Sequence, residues 1–185
     1  MSAHAPVHWL GEVELVPFDP PADPAADDKG NVAAFFDMLA HAEGTTRFGD
    51  EDGYDVLVGG ELFDSYHDHP RRLVYLPAYE ISSTAAGRYQ FLVGTWDDLA
   101  ARFGLRDFTP VSQDAGAIQL IRQCKALCLV HDGRIREAIH ACRRIWASLP
   151  GAGYGQREVA TEELVEVYRQ AGGRVAEEQT GRERT

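Results

Sequence analysis

The chain has 185 residues, 44% of them apolar, with a formal charge of −11 and a pI near 5.0. That length and apolar share suit one domain with a core of its own. The acidic balance speaks against binding nucleic acid through its phosphates, which relies on Lys and Arg, and it offers no general attraction to anionic lipid. No segment approaches the ~18 apolar residues of a membrane span, so no membrane insertion is expected. The N-terminus also lacks the basic-then-apolar pattern and cleavage site of a secretory signal.

In chain order, residues 1–28 form a separate compositional zone. Residues 9–16 alternate weakly, as a short strand would, and are followed by Pro17, Pro20, Pro21 and Pro24 among aspartates. This reads as a flexible extension or a docking segment joined by a linker. An amphipathic helix follows, with Phe35, Met38, Leu39 and Ala42 on one face. Asn31 is its candidate N-cap, with Asp27 or Asp28 as alternatives if it starts earlier, and Gly44 is its stop. Residues 45–53 are a polar loop carrying Asp50, Glu51 and Asp52. A strand over 54–58, a turn at Gly59-Gly60 and a strand over 61–63 read as a hairpin, with a third strand at 72–75.

Residues 82–87 read as a loop. Thr95 with Asp98 marks a helix start, with Trp96, Leu99 and Phe103 as its buried stripe. Thr109-Pro110 opens another helix, and a dense apolar run from Ile118 to Cys128 belongs to a largely buried one. After Gly133, apolar spacing predicts a helix over 135–149. The PGAGYG stretch at 150–155 is a loop, without the Lys-Ser/Thr ending of a phosphate-binding one. A final helix is expected over 161–171, with a frayed tail over 174–185. The main domain spans 29–173. Cys124, Cys128 and Cys142 read as buried free thiols in a reducing compartment, because no Cys-x-x-Cys pair occurs. His67-Asp68-His69 lacks a third metal ligand, so satisfied loop histidines are expected and no metal.

Glu43 is the residue with most chemical promise. The last turn of a helix disfavours a negative charge, and apolar neighbours would raise the pKa further, as a general acid requires. Spacing alone also permits an ordinary solvated glutamate at a helix end. His41, two residues away, points to another face and is not expected to be its proton partner.

Several stretches carry a resemblance. They are Phe36-Asp37-Met38-Leu39-Ala40, Glu43-Gly44-Thr45, Gly53-Tyr54-Asp55-Val56 and Val58-Gly59-Gly60-Glu61-Leu62-Phe63. Further on come Asp68-His69-Pro70-Arg71, Gly87-Arg88-Tyr89-Gln90, Ser112-Gln113-Asp114-Ala115 and the run from Ile145 to Gln156. In this order, over about 31–173, the chain resembles the bacteriophage lambda endolysin family of lysozyme-like lytic transglycosylases. The resemblance implies an α+β fold, with a mainly helical lobe, a small antiparallel β-sheet and a substrate groove between them. It implies cleavage of the MurNAc–GlcNAc β-1,4 bond of peptidoglycan with formation of a 1,6-anhydro ring, Glu43 as the single catalytic carboxylate, and no cofactor.

The resemblance also places Tyr54, Tyr89, Gln90, Tyr154 and Gln156 at the substrate, with Tyr154 offering its ring to a sugar and its hydroxyl to Glu43 or substrate. A scaffold role for the tyrosines and Gln90 is the alternative. Other readings stay open: a muramidase using Asp52 or Asp55 as second carboxylate, a non-catalytic glycan-binding module, or a secreted or particle-borne wall-degrading effector. The implied partner is the glycan strand. A monomer made in a host cytoplasm, with holin-dependent release to the cell wall, is the expected setting.

Overall fold

The structure, a computed structural model, describes residues 28–49 and 52–176. The expected N-terminal strand and linker, Asp50, Glu51 and the tail from 177 onwards lie outside the described residues. The main elements are α1 (Asp28–Glu43), β1 (Val74–Leu76), β2 (Ile81–Ser83), α2 (Val93–Phe103), α3 (Pro110–Gln123), α4 (Leu127–His131), α5 (Ile135–Cys142) and α6 (Thr161–Gln170). A 3-10 turn at Thr45–Arg47 follows α1 where a plain loop was expected. The outcome is the α+β organisation expected: a helical lobe beside one two-stranded antiparallel sheet.

α1 is the axis of the helical lobe and packs against α6 and α4. Phe35, Met38, Leu39 and Ala42 are buried, as their spacing predicts, and Ala34 and Ala40 join them. Asn31 is not the N-cap. It sits one turn inside the helix, buried, where its amide donates to Val130 O (3.2 Å) and His131 O (3.0 Å) and accepts from Arg174 N (2.8 Å). The side chain thus fastens α1 to the end of α4 and to the segment after α6. That segment is accordingly tied to the domain at residues 174–176, where fraying was expected: Ala176 N also donates to Gly133 O (2.8 Å).

The hairpin expected over 54–63 turns where predicted, with Gly59 and Gly60 at φ 92° and 95°, but it does not form full strands. Only Val56 and Leu62 pair across it, because the backbone also bonds to the turn at 85–91, through Val58 N to Ala85 O and Gly87 N to Val56 O. The sheet is built instead by β1, which overlaps the expected third strand, and by β2, read as loop; Val74 pairs with Ser83 and Leu76 with Ile81. Buried Gln113 clamps this region to α3. Its Oε1 accepts from Arg88 N (2.9 Å), and its Nε2 donates to Tyr54 O (2.9 Å) and Phe108 O (2.8 Å).

Three helix readings change. α2 begins at Val93, before Thr95, with no side-chain cap, and Phe103 is exposed at its far end. The run ending at Cys128 is broken after Gln123. Lys125 takes a left-handed conformation (φ 56°), Lys125 N–H bonds Arg122 O, and Ala126 N–H reaches back to Ile121 O. These are the closing bonds of a Schellman end, here without the usual glycine. Cys128 is consequently exposed, Cys124 part-buried and Cys142 buried. α5 stops at Cys142, yet Trp146 and Leu149 stay in the core because successive turns, not helix, carry them there. α6 matches its expected span closely.

Candidate active site

α1 ends at Glu43 because Gly44 takes the left-handed conformation (φ 76°). Thr45, buried just beyond, donates its hydroxyl proton to Arg88 O (2.9 Å), joining the helix end to the 87–90 turn. Glu43 keeps some surface open to a cleft of about 320 Å³, while the protein behind it desolvates the carboxyl. Burial pushes its pKa up from 4.5 to about 7, and a hydrogen bond from Ser148 opposes the rise. The Ser148 hydroxyl donates to Glu43 Oε1 at 2.6 Å across 105 positions of sequence. Ser148 is itself held by the turns after α5: its carbonyl accepts from Val159 N (2.8 Å), and nearby Trp146 Nε1 donates to Tyr89 O (3.1 Å).

Around the acid the cleft is lined by Phe48, residues 57–60, Leu76, Tyr79, Gln90, Gln156 and Arg157. Gly60 is required here, since a Cβ would stand 2.5 Å from the Phe48 ring. A second hollow, about 420 Å³, adjoins the cleft through Tyr79 and Gln156 and runs between residues 77–81 and Tyr154. Among the described residues lining the cleft, Glu43 is the only carboxylate and Arg157 the only cation.

The structure therefore brings Glu43, Gln90 and Gln156 to one cleft and seats Tyr154 in the neighbouring hollow. Gln90 takes a left-handed conformation (φ 51°), and its amide nitrogen donates to Gly87 O (3.0 Å) and Val56 O (3.2 Å), so it braces the wall. Tyr154 does not reach Glu43: its hydroxyl donates to Arg144 O (3.1 Å). The glycine-rich loop carrying it folds around an internal anion, with Gly151 N and Gly153 N both 2.8 Å from the Glu158 carboxylate, which lowers the pKa of Glu158.

Tyr89 is a correction. It is buried at 1% exposure, with its hydroxyl on Asp114 Oδ1 (2.6 Å), and so belongs to the core behind the site. Tyr54 donates to the same oxygen (2.8 Å), packs edge-on to Tyr89 and lies under Arg88, away from the cleft lining. Burial and Asp114 push the Tyr54 hydroxyl up to about 12. His69 is a satisfied loop histidine: Nε2 is 2.8 Å from Phe91 O and Nδ1 accepts from Arg71 N (3.1 Å). His41 turns away from Glu43 to pair with Glu163 at 2.7 Å, as its position on the helix implies.

Ser148 and Arg157 were not singled out in the sequence. A serine far from Glu43 in a turn-rich segment has no periodic signal; only the likeness of the run from Ile145 to Gln156 passes over it.

A sequence profile of the Endolysin family matches residues 33–175. The endolysin of Escherichia phage lambda is 52% identical over 147 residues, covering 78% of this chain and 92% of that protein. The endolysin of Escherichia phage P2 is 48% identical over 161 residues, covering 81% of this chain and 98% of that protein. The solved structure of bacteriophage lambda lysozyme complexed with a chitohexasaccharide superposes with a TM-score of 0.76 at 50% identity, covering 80% of this chain and 97% of that one.

Proposed function

The chain belongs to the endolysin family, peptidoglycan-degrading enzymes with a lysozyme-like α+β fold, and on that premise we propose a lytic transglycosylase that works with one carboxylate, Glu43. One observation carries the reading: a carboxyl kept protonated to about pH 7 stands in a cleft with no second carboxylate among its described lining residues. Hydrolysis of a glycoside in the usual way uses two carboxylates flanking the bond. Neither Asp52 nor Asp55 lines the cleft. The Asp55 carboxylate lies instead beneath the loop at Gly49, where a Cβ would come within 3.2 Å of its Oδ1. Asp50 and Glu51 lie outside the described residues.

The chemistry then runs within the substrate. Ser148 holds Oε1, so the proton to be given resides on Oε2. Glu43 delivers it to the glycosidic oxygen between N-acetylmuramic acid and N-acetylglucosamine as the C1–O bond breaks. The C6 hydroxyl of the same muramic sugar attacks C1 and returns its proton to the glutamate, closing a 1,6-anhydro ring. Tethering the nucleophile to the electrophile supplies several kcal/mol of the barrier that a bound water would otherwise have to meet, so no base for water is needed. Gln156, Tyr79 and Tyr154 would contact the flanking sugars, with aromatic faces and an amide suited to pyranose rings and N-acetyl groups. In the phage setting the monomer accumulates in the host cytoplasm and meets the wall after a holin opens the membrane.

Mass spectrometry of digested peptidoglycan tests this. Anhydro ends should dominate, each product lighter by one water than its hydrolytic counterpart, resistant to borohydride and unlabelled in ¹⁸O water. Mainly reducible, ¹⁸O-labelled ends would overturn the transglycosylase reading and call for a water-activating acid from residues 50–55.

A further inference from the structure

Arg157 stands out on the rim of the Glu43 cleft. It is the only cation among the described lining residues of a protein whose net charge is −11. Its backbone is anchored by the two residues that follow it: the Glu158 carboxylate accepts from Gly151 N and Gly153 N, and Val159, buried, donates its N–H to Ser148 O. Its guanidinium makes no hydrogen bond or ion pair with another described residue. The carboxylate that feels its charge, Glu163, is already hydrogen-bonded to His41 at 2.7 Å. A fork of N–H donors therefore stands at the mouth of the cleft with no hydrogen-bond acceptor among the described residues.

Such a group matches a carboxylate, which a guanidinium binds in a bidentate fashion. Bare chito-oligosaccharides have none. The muramic sugar of peptidoglycan has a lactyl ether whose carboxyl is either free or extended by a stem peptide with carboxylates of its own. We propose that Arg157 recognises a carboxylate on this lactyl or stem-peptide substituent and thereby gives the chain a preference for substituted glycan strands over neutral ones. The proposal rests on the peptidoglycan reading above and adds the residue that discriminates within it. An acidic protein approaching an anionic polymer needs such a local cation, since its overall field works against the encounter.

The test measures Kd in a Glu43→Gln background, so that no turnover is required. Three soluble tetrasaccharides are compared: muramyl fragments with stem peptides, the same fragments after amidase has exposed the lactyl carboxylate, and neutral chitotetraose. Adding Arg157→Gln should weaken binding of a carboxylate-bearing fragment roughly fivefold, the factor an exposed ion pair can supply, and leave chitotetraose unchanged. The affected fragment identifies the source: the first alone means the stem peptide, the second means the lactyl group. Arg157→Lys should recover part of the loss, and 0.5 M salt should shrink the difference. Equal binding of both muramyl fragments by the two proteins overturns the proposal, as does an equal loss on all three ligands. If the Glu43→Gln protein bound chitotetraose but neither muramyl fragment, the peptidoglycan reading itself would fall, a result distinct from equal binding by the variants.

Discussion

One bank of the cleft is α1, whose Phe35, Met38 and Leu39 are fully buried and whose Asn31 is bonded to segments about 100 and 143 positions away. The facing bank is the ribbon of β1 and β2, three residues per strand, with Leu73 just ahead of β1 at 69% and Tyr75 within it at 60% exposure. A two-stranded ribbon has little stability of its own. The contrast follows from what each bank must do. A pKa lifted by burial exists only while the protein behind the carboxyl keeps water out, so Glu43 must be anchored on the best-packed element. A bank that only walls the cleft, through Leu76 and the turn residue Tyr79, carries no such buried charge and can be thin.

The largest effect is expected at the acid itself. Glu43→Gln should lower wall-lysis activity about 10²- to 10⁴-fold, the usual contribution of a general acid, while folding and glycan affinity are kept. Lysis retained by the purified variant would remove Glu43 from the mechanism and leave the well-packed bank without a chemical purpose. For the active protein, kcat/KM should fall about tenfold per pH unit above about pH 7 as Glu43 loses its proton.

The same substitution should reveal the stability given up for that pKa. Below pH 4.5 folded and unfolded chains both hold the proton and Glu43 contributes nothing. Between 4.5 and about 7 the unfolded chain releases it while the folded chain retains it, so the unfolded state gains and stability falls with rising pH. Above about 7 the penalty is complete, at most about 3 kcal/mol. Glu43→Gln should therefore match wild type at pH 4.5 and exceed it at pH 8. Denaturant titrations at both values decide this; parallel curves would mean that burial does not raise the pKa.

Asn31→Ala attacks the anchor rather than the acid. It leaves the part-buried His131 carbonyl and Arg174 N–H without their partner, while Val130 O keeps its bond from Gly133 N (3.0 Å), and should lower stability by about 1–2 kcal/mol. Ser148→Ala should do less, about a tenfold loss of kcat. Because the Ser148 bond lowers the Glu43 pKa, its removal should also move the alkaline limb upwards. A loss of rate with an unmoved limb would assign Ser148 to the scaffold alone.

What was legible in the sequence divides along the same line. The buried face of α1, its stop at Gly44 and the span of α6 were readable because helical period and a left-handed glycine are local signals. So was the raised pKa of Glu43, expected of a carboxyl at a helix end with apolar neighbours, with burial as its chief cause. Asn31 looked like a cap because a cap and a tertiary clamp use the same side chain. Tyr89 looked like a sugar contact because motif membership does not say whether a ring faces a cleft or Asp114. The end of α3 was missed because lysine occupies a left-handed position where glycine is the usual sign. The ribbon of β1 and β2 was only half found, since short strands held by pairing register rather than by a long alternating pattern leave little trace.

The smallest expected effect tests the ribbon. Val74 and Leu76 turn inwards over Gly59, where a Cβ would meet their methyl carbons at 3.7 and 3.8 Å, while Leu73 and Tyr75 project from the opposite face. Those two side chains surrender little water-excluded contact when shortened. The double substitution Leu73→Ser and Tyr75→Ser should thus change stability by no more than about 0.5 kcal/mol, as surface changes usually do. Thermal unfolding at pH 6 provides the measurement. A loss of 2 kcal/mol or more would mean that the outer face is packed against part of the chain, and the contrast between a buried bank and an open one would no longer hold.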